Sequence, residues 1–226
     1  VEGTVLVACW SVKGGAGVSV VAAALAHRLA EQQGEALLVD LGGDQPDIVG
    51  VAAHHRAGVA DWLAAGDRVP VDGLVRSEVP LAGGVSLLAR GEGPLHAGER
   101  AEVLLALLGR ERRPVVVDCG VPLGHGHDGA EQLAALAAAG ATRSLLVLRP
   151  CLASLRRALG APVRPSGLVV VLEPGRVLDA GDAAEVLSTS VVAEVPVDPA
   201  IARTVDAGLL LARPPRALQR GLRHAA

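Results

Sequence analysis

Thr4-Val5-Leu6-Val7-Ala8-Cys9-Trp10 runs into Ser11-Val12-Lys13-Gly14-Gly15-Ala16-Gly17-Val18-Ser19, and Ser19–Gln33 follows with helical composition. The first block is apolar without interruption, the pattern of a strand buried on both faces. A buried strand, a Gly-rich turn and a helix N-terminus in that order make the frame of a phosphate-binding loop. Glycines let backbone N–H groups curl around phosphate oxygens, and the helix dipole adds positive potential. Ser19 stands where a hydroxyl can ligate Mg²⁺. Against the strict pattern G-x-x-x-x-G-K-[ST], two positions differ: Val12 replaces the first Gly and Val18 the Lys. On these residues alone, a Gly-rich βα turn that binds nothing remains the alternative.

Outward from this loop, short Val- and Leu-rich blocks alternate with Ala/Leu/Arg/Glu stretches. Strands are expected at Thr4–Trp10, Glu35–Asp40, Val85–Ala89, Pro114–Cys119, Arg143–Leu148, Leu168–Leu172 and Val191–Val195. Helices are expected at Ser19–Gln33, Val59–Ala65, Glu99–Arg110, Ala130–Ala139, Cys151–Leu159, Ala180–Leu187, Pro199–Ala207 and Pro215–His224. Regular β-then-α alternation predicts an α/β fold: a doubly wound, mostly parallel sheet of about seven strands with helices on both faces. Gly66–Gly98, rich in Gly, Pro and charge, reads as surface loops around one inserted strand. With no internal repeat and no low-complexity linker, residues 1–226 read as a single domain.

Composition narrows the function classes. Half of the 226 residues are apolar, 20% are charged, and the aromatics are two Trp, so disorder is excluded. Of the 21 basic side chains Lys13 is the only lysine, and Asn is absent, as a GC-rich coding sequence would give. A net charge of −3 is too mild for an obligate nucleic-acid binder. Cys9, Cys119 and Cys151 are an odd number at spacings unlike a zinc site or a disulfide framework, which suits a reducing cytoplasm. Neither a signal peptide nor an apolar run of spanning length is seen. The expected location is cytoplasmic, with peripheral attachment at the inner face of the membrane as a variant.

Lys13-Gly14-Gly15-x-Gly17-x-Ser19 resembles the deviant Walker A motif, K-G-G-x-G-K-[ST], of the MinD/ParA family of P-loop ATPases. In that family the early Lys reaches the phosphates of the partner subunit in an ATP-bound dimer; Lys13 matches it. Leu37-Leu38-Val39-Asp40 resembles the second strand, whose terminal Asp opens switch I. Leu41-Gly42-Gly43-Asp44-Gln45-Pro46-Asp47 is similar to the switch of CpaE/TadZ-like relatives. Val115-Val116-Val117-Asp118-Cys119-Gly120 resembles the Walker B strand and the start of switch II, and Leu148–Ala158 the strand-to-helix stretch beyond it. Glu194-Val195-Pro196-Val197-Asp198, then Asp206-Ala207-Gly208, is similar to the stretch near the nucleotide base. These landmarks cover nearly the whole chain in the family's order.

The resemblance implies a P-loop NTPase fold of the SIMIBI type, with ATP or ADP and Mg²⁺ as cofactors. Lys13 and Asp40 take catalytic positions. Gly14, Gly15, Ala16, Gly17, Val18, Ser19, Val20, Pro196 and Asp198 line the nucleotide, and Ser19 and Asp118 serve the metal. It implies a homodimer that works with a protein partner of a positioning or secretion system. Four departures point to impaired hydrolysis. Val12 and Val18 alter the loop, Gly42 replaces the second carboxylate of switch I, and Glu173-Pro174 stands where an adenine-binding Asn is often found. Asp44 and Asp47 are the nearest stand-ins for the missing carboxylate. Without the second Lys, one charge-assisted hydrogen bond to phosphate is lost, roughly 1.5–3 kcal/mol. Losing transition-state charge costs about 10³-fold or more in rate. The expected function is a dimer switch or scaffold that helps localise a pilus or secretion machine, the septum or DNA. The alternatives are an active ATP-dependent ligase of the dethiobiotin or cobyrinate type and a structural relative that binds no nucleotide.

Other features read as structure. His125-Gly126-His127-Asp128 and His54-His55 lack further metal ligands in sequence and read as solvated loops. Cys9 and Cys119 read as buried packing thiols. The C-terminal stretch carries Arg213, Arg216, Arg220 and Arg223, with Leu218 and Leu222 four apart. It reads as a helix packed on the domain, its two leucines being too little apolar surface for anchoring to anionic membrane. Arg156, Arg157 and Arg164 offer a weak, nonspecific DNA contact.

Overall fold

The computed structural model describes residues 5–51, 57–66, 70, 72–96, 98–122 and 129–225. Eight strands form one sheet: β1 (Leu6–Trp10), β2 (Ala36–Asp40), β3 (Val79–Pro80), β4 (Val85–Leu88), β5 (Val115–Asp118), β6 (Arg143–Leu148), β7 (Gly167–Leu172) and β8 (Val191–Pro196). Their order is β3-β4-β2-β5-β1-β6-β7-β8, and every pairing is parallel except β3 with β4. The helices are α1 (Val18–Gln33), α2 (Gln45–Val49), α3 (Val59–Ala65), α4 (Asp72–Val75), α5 (Glu99–Leu108), α6 (Gly129–Gly140), α7 (Leu152–Leu159), α8 (Ala180–Leu187), α9 (Pro199–Asp206) and α10 (Arg216–Gly221).

The apolar runs act as their pattern predicts. Along β1, Leu6, Ala8 and Trp10 pack into one core with α3 to α8, while Val7 and Cys9 pack into a second core with α1 and α10. A strand with both faces covered needs apolar side chains at consecutive positions, and all five residues of β1 are buried. Trp10 places its one polar atom well: Nε1 donates to Ser144 Oγ at 3.0 Å, across to β6.

The seven expected strands are all present, and the eighth, β3, was not anticipated. It is two residues long and ends in Pro80, and it caps the edge of β4. Pro lacks a ladder donor and suits an edge. The strand expected within Gly66–Gly98 is β4, and the stretch before it, expected as loop, also holds α4 and β3. Strand β4 lies inside the sheet between β3 and β2, with Val85, Leu87 and Leu88 buried. Arg113 ties this region to the turn before β5, bonding both carboxylate oxygens of Glu78 at 2.9 Å and Glu111 at 3.0 Å. The two histidine clusters, His54-His55 and His125–Asp128, lie outside the described residues.

Helix α10 is shorter than expected and packs inward. Leu218 and Leu222 are fully buried, and Gly221 sits so close to the backbone of Glu194 on β8 that a Cβ there would collide with the Glu194 carbonyl. The two leucines are part of the core, so they are unavailable to a membrane. Among the described residues, no helix is long and apolar enough to cross one.

Candidate functional site

Open parallel sheets gather their loops at the carboxyl ends of the strands, beside the point where strand order reverses. Here that point is β1, with β5 on one side and β6 on the other. Three carboxyl ends converge: Trp10 of β1, Asp40 of β2 and Asp118 of β5. Asp40 and Asp118 are register partners on adjacent strands, so their side chains stand together. The loop 11–17 crosses above them and is tied down by Ser11 N–H donating to the Gly120 carbonyl at 2.9 Å.

The loop turns into α1 through two glycines in the left-handed region, Gly15 at φ 75° and Gly17 at φ 93°. A side chain with a Cβ is strained there, which is the physical reason for glycine at both positions. Gly17 caps α1 without any side-chain hydrogen bond. The first-turn N–H groups of a helix have no intrahelical acceptor, and they carry the positive end of the dipole. An oxyanion is their natural complement. Ala16 and Val18 turn inward, 3% and 7% exposed, and pack among Val21 and its neighbours in the core. Val18 therefore fills its position with apolar contact, and α1 starts without a cationic side chain. Ser19 and Val20 are half-buried at the helix start.

Lys13 lies on the outer rim. It borders a groove of about 710 Å³ with Val12, Glu131, Arg156 and Arg157. It also borders a smaller pocket of about 270 Å³ with Arg149, Cys151, Glu173 and Arg176. Glu173 is engaged with Arg176 at 2.9 Å. Cys151 caps α7, and its thiol is held below the usual range by hydrogen bonds from Ser154, with a smaller contribution from the Lys13 charge. On the other side of the loop, Gly17, Val20, Pro196, Asp198 and Ile201 line a mostly apolar groove of about 280 Å³. Asp198 is committed to capping α9, its Oδ1 accepting from the Ala200 N–H at 2.7 Å.

The two carboxylates are buried and their described partners are neutral. Asp40 accepts from the Gly43 N–H at 2.7 Å and the Gln45 N–H at 3.2 Å. Asp118 accepts from the Gly120 N–H at 3.0 Å and from Gln45 Nε2 at 2.7 Å. Burial, and then the neighbouring Asp118 charge, push Asp40 up to about 7. Burial likewise raises Asp118, against the pull of hydrogen bonds from Gln45 and Ser19. A pair of buried carboxylates beside a hydroxyl and an anion-binding helix end has the chemistry of a hydrated divalent cation shared with phosphate oxygens. Among the described residues, no group of three or more His, Cys, Asp and Glu could hold a metal. The oxygens on offer suit a cation whose remaining ligands are phosphate and water.

Two residues were not singled out as site residues from sequence. Gln45 is one, a lone amide in a turn before Pro46. Arg149 is the other, lining both the apolar groove and the Lys13 pocket. Asp44 lies near enough to raise both carboxylates, as expected of a nearby acid. Cys9 and Cys119 are fully packed, and burial pushes both thiols upward, in keeping with a packing role.

No family model and no curated protein sequence matches the chain. Solved structures do. MinD of Pyrococcus horikoshii, determined with Mg-ADP, superimposes with a TM-score of 0.73 over 96% of this chain and 92% of its own, at 19% identity. The chain has the MinD/ParA fold. A ParA family ATPase from Chlorobium tepidum matches at TM-score 0.71, covering 96% of this chain and 95% of its own, again at 19% identity. MinD of Aquifex aeolicus, solved in complex with MinC, matches at 0.69 over 91% and 86%, at 19% identity. Within the MinD/ParA fold the loop 11–19 is the turn between the first strand and the first helix, and the architecture expected from sequence is the one observed.

Proposed function

We propose that the chain is a nucleotide-binding positioning or partitioning protein of the MinD/ParA kind, formed by residues 1–226 as a single domain. It binds ADP or ATP with Mg²⁺ and hydrolyses ATP slowly or not at all. The observation that carries this reading is the placement of an uncapped α1 N-terminus beside the register-paired carboxylates Asp40 and Asp118. In this reading the diphosphate lies against the N–H groups from Gly14 to Val20. The base occupies the groove of Val20, Pro196 and Ile201, with Asp198 at its rim. Mg²⁺ would be held by Ser19 and, through water, by Asp118, with Asp40 beside them in a catalytic position; bound there, it would neutralise phosphate charge. The chain's own residues orient and neutralise less than the strict motif would. Val18 offers no charge, and Gly42 no second carboxylate.

Lys13, which borders two pockets beside the loop, would reach the phosphates of a second subunit, and the nucleotide-dependent state would be a homodimer. A protein partner is the expected reader of that state, and the relevant apparatus would be a pilus, a secretion machine, the septum or a DNA cargo. Titration calorimetry with ADP in Mg²⁺, together with ATP turnover, tests the reading. ADP binding kept in Lys13→Ala, dimerisation in Mg²⁺-ATP lost in it, and turnover far below that of an intact P-loop ATPase support it. No binding at millimolar nucleotide defeats it, and brisk turnover lost in Lys13→Ala defeats the impaired-hydrolysis part.

A further inference from the structure

Gln45 joins three parts of the site that are distant in sequence. Its side chain is fully buried. Nε2 donates one hydrogen to Asp118 Oδ2 at 2.7 Å and the other to the Ser19 carbonyl at 2.9 Å. Both partners are acceptors, so the amide orientation is fixed: turning it over would set oxygen against oxygen. Its own backbone N–H donates to Asp40. Oε1, however, is buried with no donor among the described residues. A buried acceptor without a partner is costly, so this arrangement holds the amide in place at its oxygen's expense.

We infer that Gln45 is a positioning residue that competes with a divalent cation for Asp118. The inference rests on the proposed cation site. A hydrated Mg²⁺ served by Ser19 and Asp118 uses the carboxylate oxygens as acceptors for its waters. Oδ1 of Asp118 already accepts from Gly120, and Oδ2 from Gln45. A carboxylate offers about four acceptor sites, and Gly120, Gln45 and Ser19 already take three of them at Asp118. Two or more cation-bound waters therefore displace a donor, and the Gln45 amide, neither backbone nor a ligand of the cation, is the one that lets go. It then also leaves the Ser19 carbonyl, and Oε1 leaves its partnerless position. Because Gln45 opens α2, cation binding is thereby linked to the backbone of residues 41–50, which also holds Asp40 through Gly43 and Gln45.

The test uses Mn²⁺ with inorganic pyrophosphate, followed by electron paramagnetic resonance, so that the phosphate ligands are present and the result does not depend on a nucleotide base. Gln45→Leu removes the competing donor at similar volume and should bind Mn²⁺ about tenfold more tightly than wild type, the order expected when one hydrogen bond to a carboxylate no longer has to break. Asp118→Asn should cancel that gain. Equal or weaker binding by Gln45→Leu, including no binding by either protein, overturns the inference. Hydrogen exchange on the unaltered protein guards against a variant that fails to fold. Saturating Mn²⁺ with pyrophosphate should speed exchange at the Gly43 and Gln45 amides, and unchanged or slowed exchange there overturns it. A parallel arm with Mg²⁺ and ADP separates the two claims: absent nucleotide binding with the Mn²⁺ result intact removes the proposed function and leaves Gln45's role standing.

Discussion

Restoring the absent cation at the start of α1 measures how much the loop has lost. Val18 is 7% exposed and packs against the core beneath the loop. Fully burying a Val side chain contributes about 1.5–3 kcal/mol. In Val18→Lys most of that is kept, because the lysine stem covers the same apolar surface while its ammonium reaches out. The expected net cost is about 1 kcal/mol, or a fall in Tm of about 2–4 °C for a chain of this size. Against this, one hydrogen bond between an ammonium and a phosphate contributes about 1.5–3 kcal/mol, which lowers Kd for ADP roughly 10- to 100-fold. Calorimetric titration and thermal melts read both quantities, with Val18→Ala as the control that loses stability and gains no affinity. A folded Val18→Lys protein that binds ADP no more tightly than wild type would refute the reasoning, since it would mean that no phosphate lies within reach of the first turn of α1.

Other consequences are equally specific. Asp40, with its pKa raised to about 7, keeps its proton in the folded chain while the unfolded chain loses it near 3.8. The unfolded state then binds fewer protons, so this group's contribution to stability falls as pH rises from about 4 to 7 and is level above. Asp40→Asn has no such titration. Unfolding measured from pH 4 to 8 should therefore show the difference in stability moving in the variant's favour up to about pH 7. A Cβ at Gly42 would stand 3.7 Å from Asp40 Oδ1 and from Asp118 Oδ1, in ordinary contact. Gly42→Asp should accordingly fold, melt lower in EDTA through carboxylate repulsion, and gain more from added Mg²⁺ than wild type does. Gly50, at φ 71°, lies against the backbone of Gly208, where α2 meets α9, and an added Cβ would collide with it. Gly50→Ala should cost about 2 kcal/mol or more in urea unfolding, whereas Gly14→Ala, in open space, should change stability by about 0.5 kcal/mol or less. Leu218→Ala, at a fully buried position, should cost about 2–5 kcal/mol, and the intact protein should not sediment with anionic vesicles through α10.

The sheet was legible because its strands are covered on both faces, and that demand writes an unbroken apolar run into β1 and runs of Val and Leu into β5, β6 and β7. Strand β3 was not, because two residues ending in proline carry no periodicity; the pairing of Val79 with Leu87 and of Pro80 with Ser86 makes them a strand. The loop 11–19 was legible through its glycines, two of which, Gly15 and Gly17, hold positive φ values that only glycine adopts freely. The partnership of Asp40 with Asp118 depends on register between strands about 80 residues apart, which local pattern does not encode. Gln45 was hidden for the same reason: its partners, Ser19 and Asp118, are 26 and 73 residues away. Leu218 and Leu222 posed a true ambiguity, since two leucines on one turn face suit either a lipid surface or a core. The close approach of Gly221 to Glu194 decides for the core.

The most direct test of the nucleotide site is a crystal structure grown with Mg²⁺ and ADP. The diphosphate should lie against the backbone N–H groups of Gly14 to Val20, Mg²⁺ at Ser19 with water to Asp118, and adenine between Val20, Pro196 and Ile201. A loop without nucleotide at millimolar ADP, or nucleotide bound elsewhere on the chain, would contradict it.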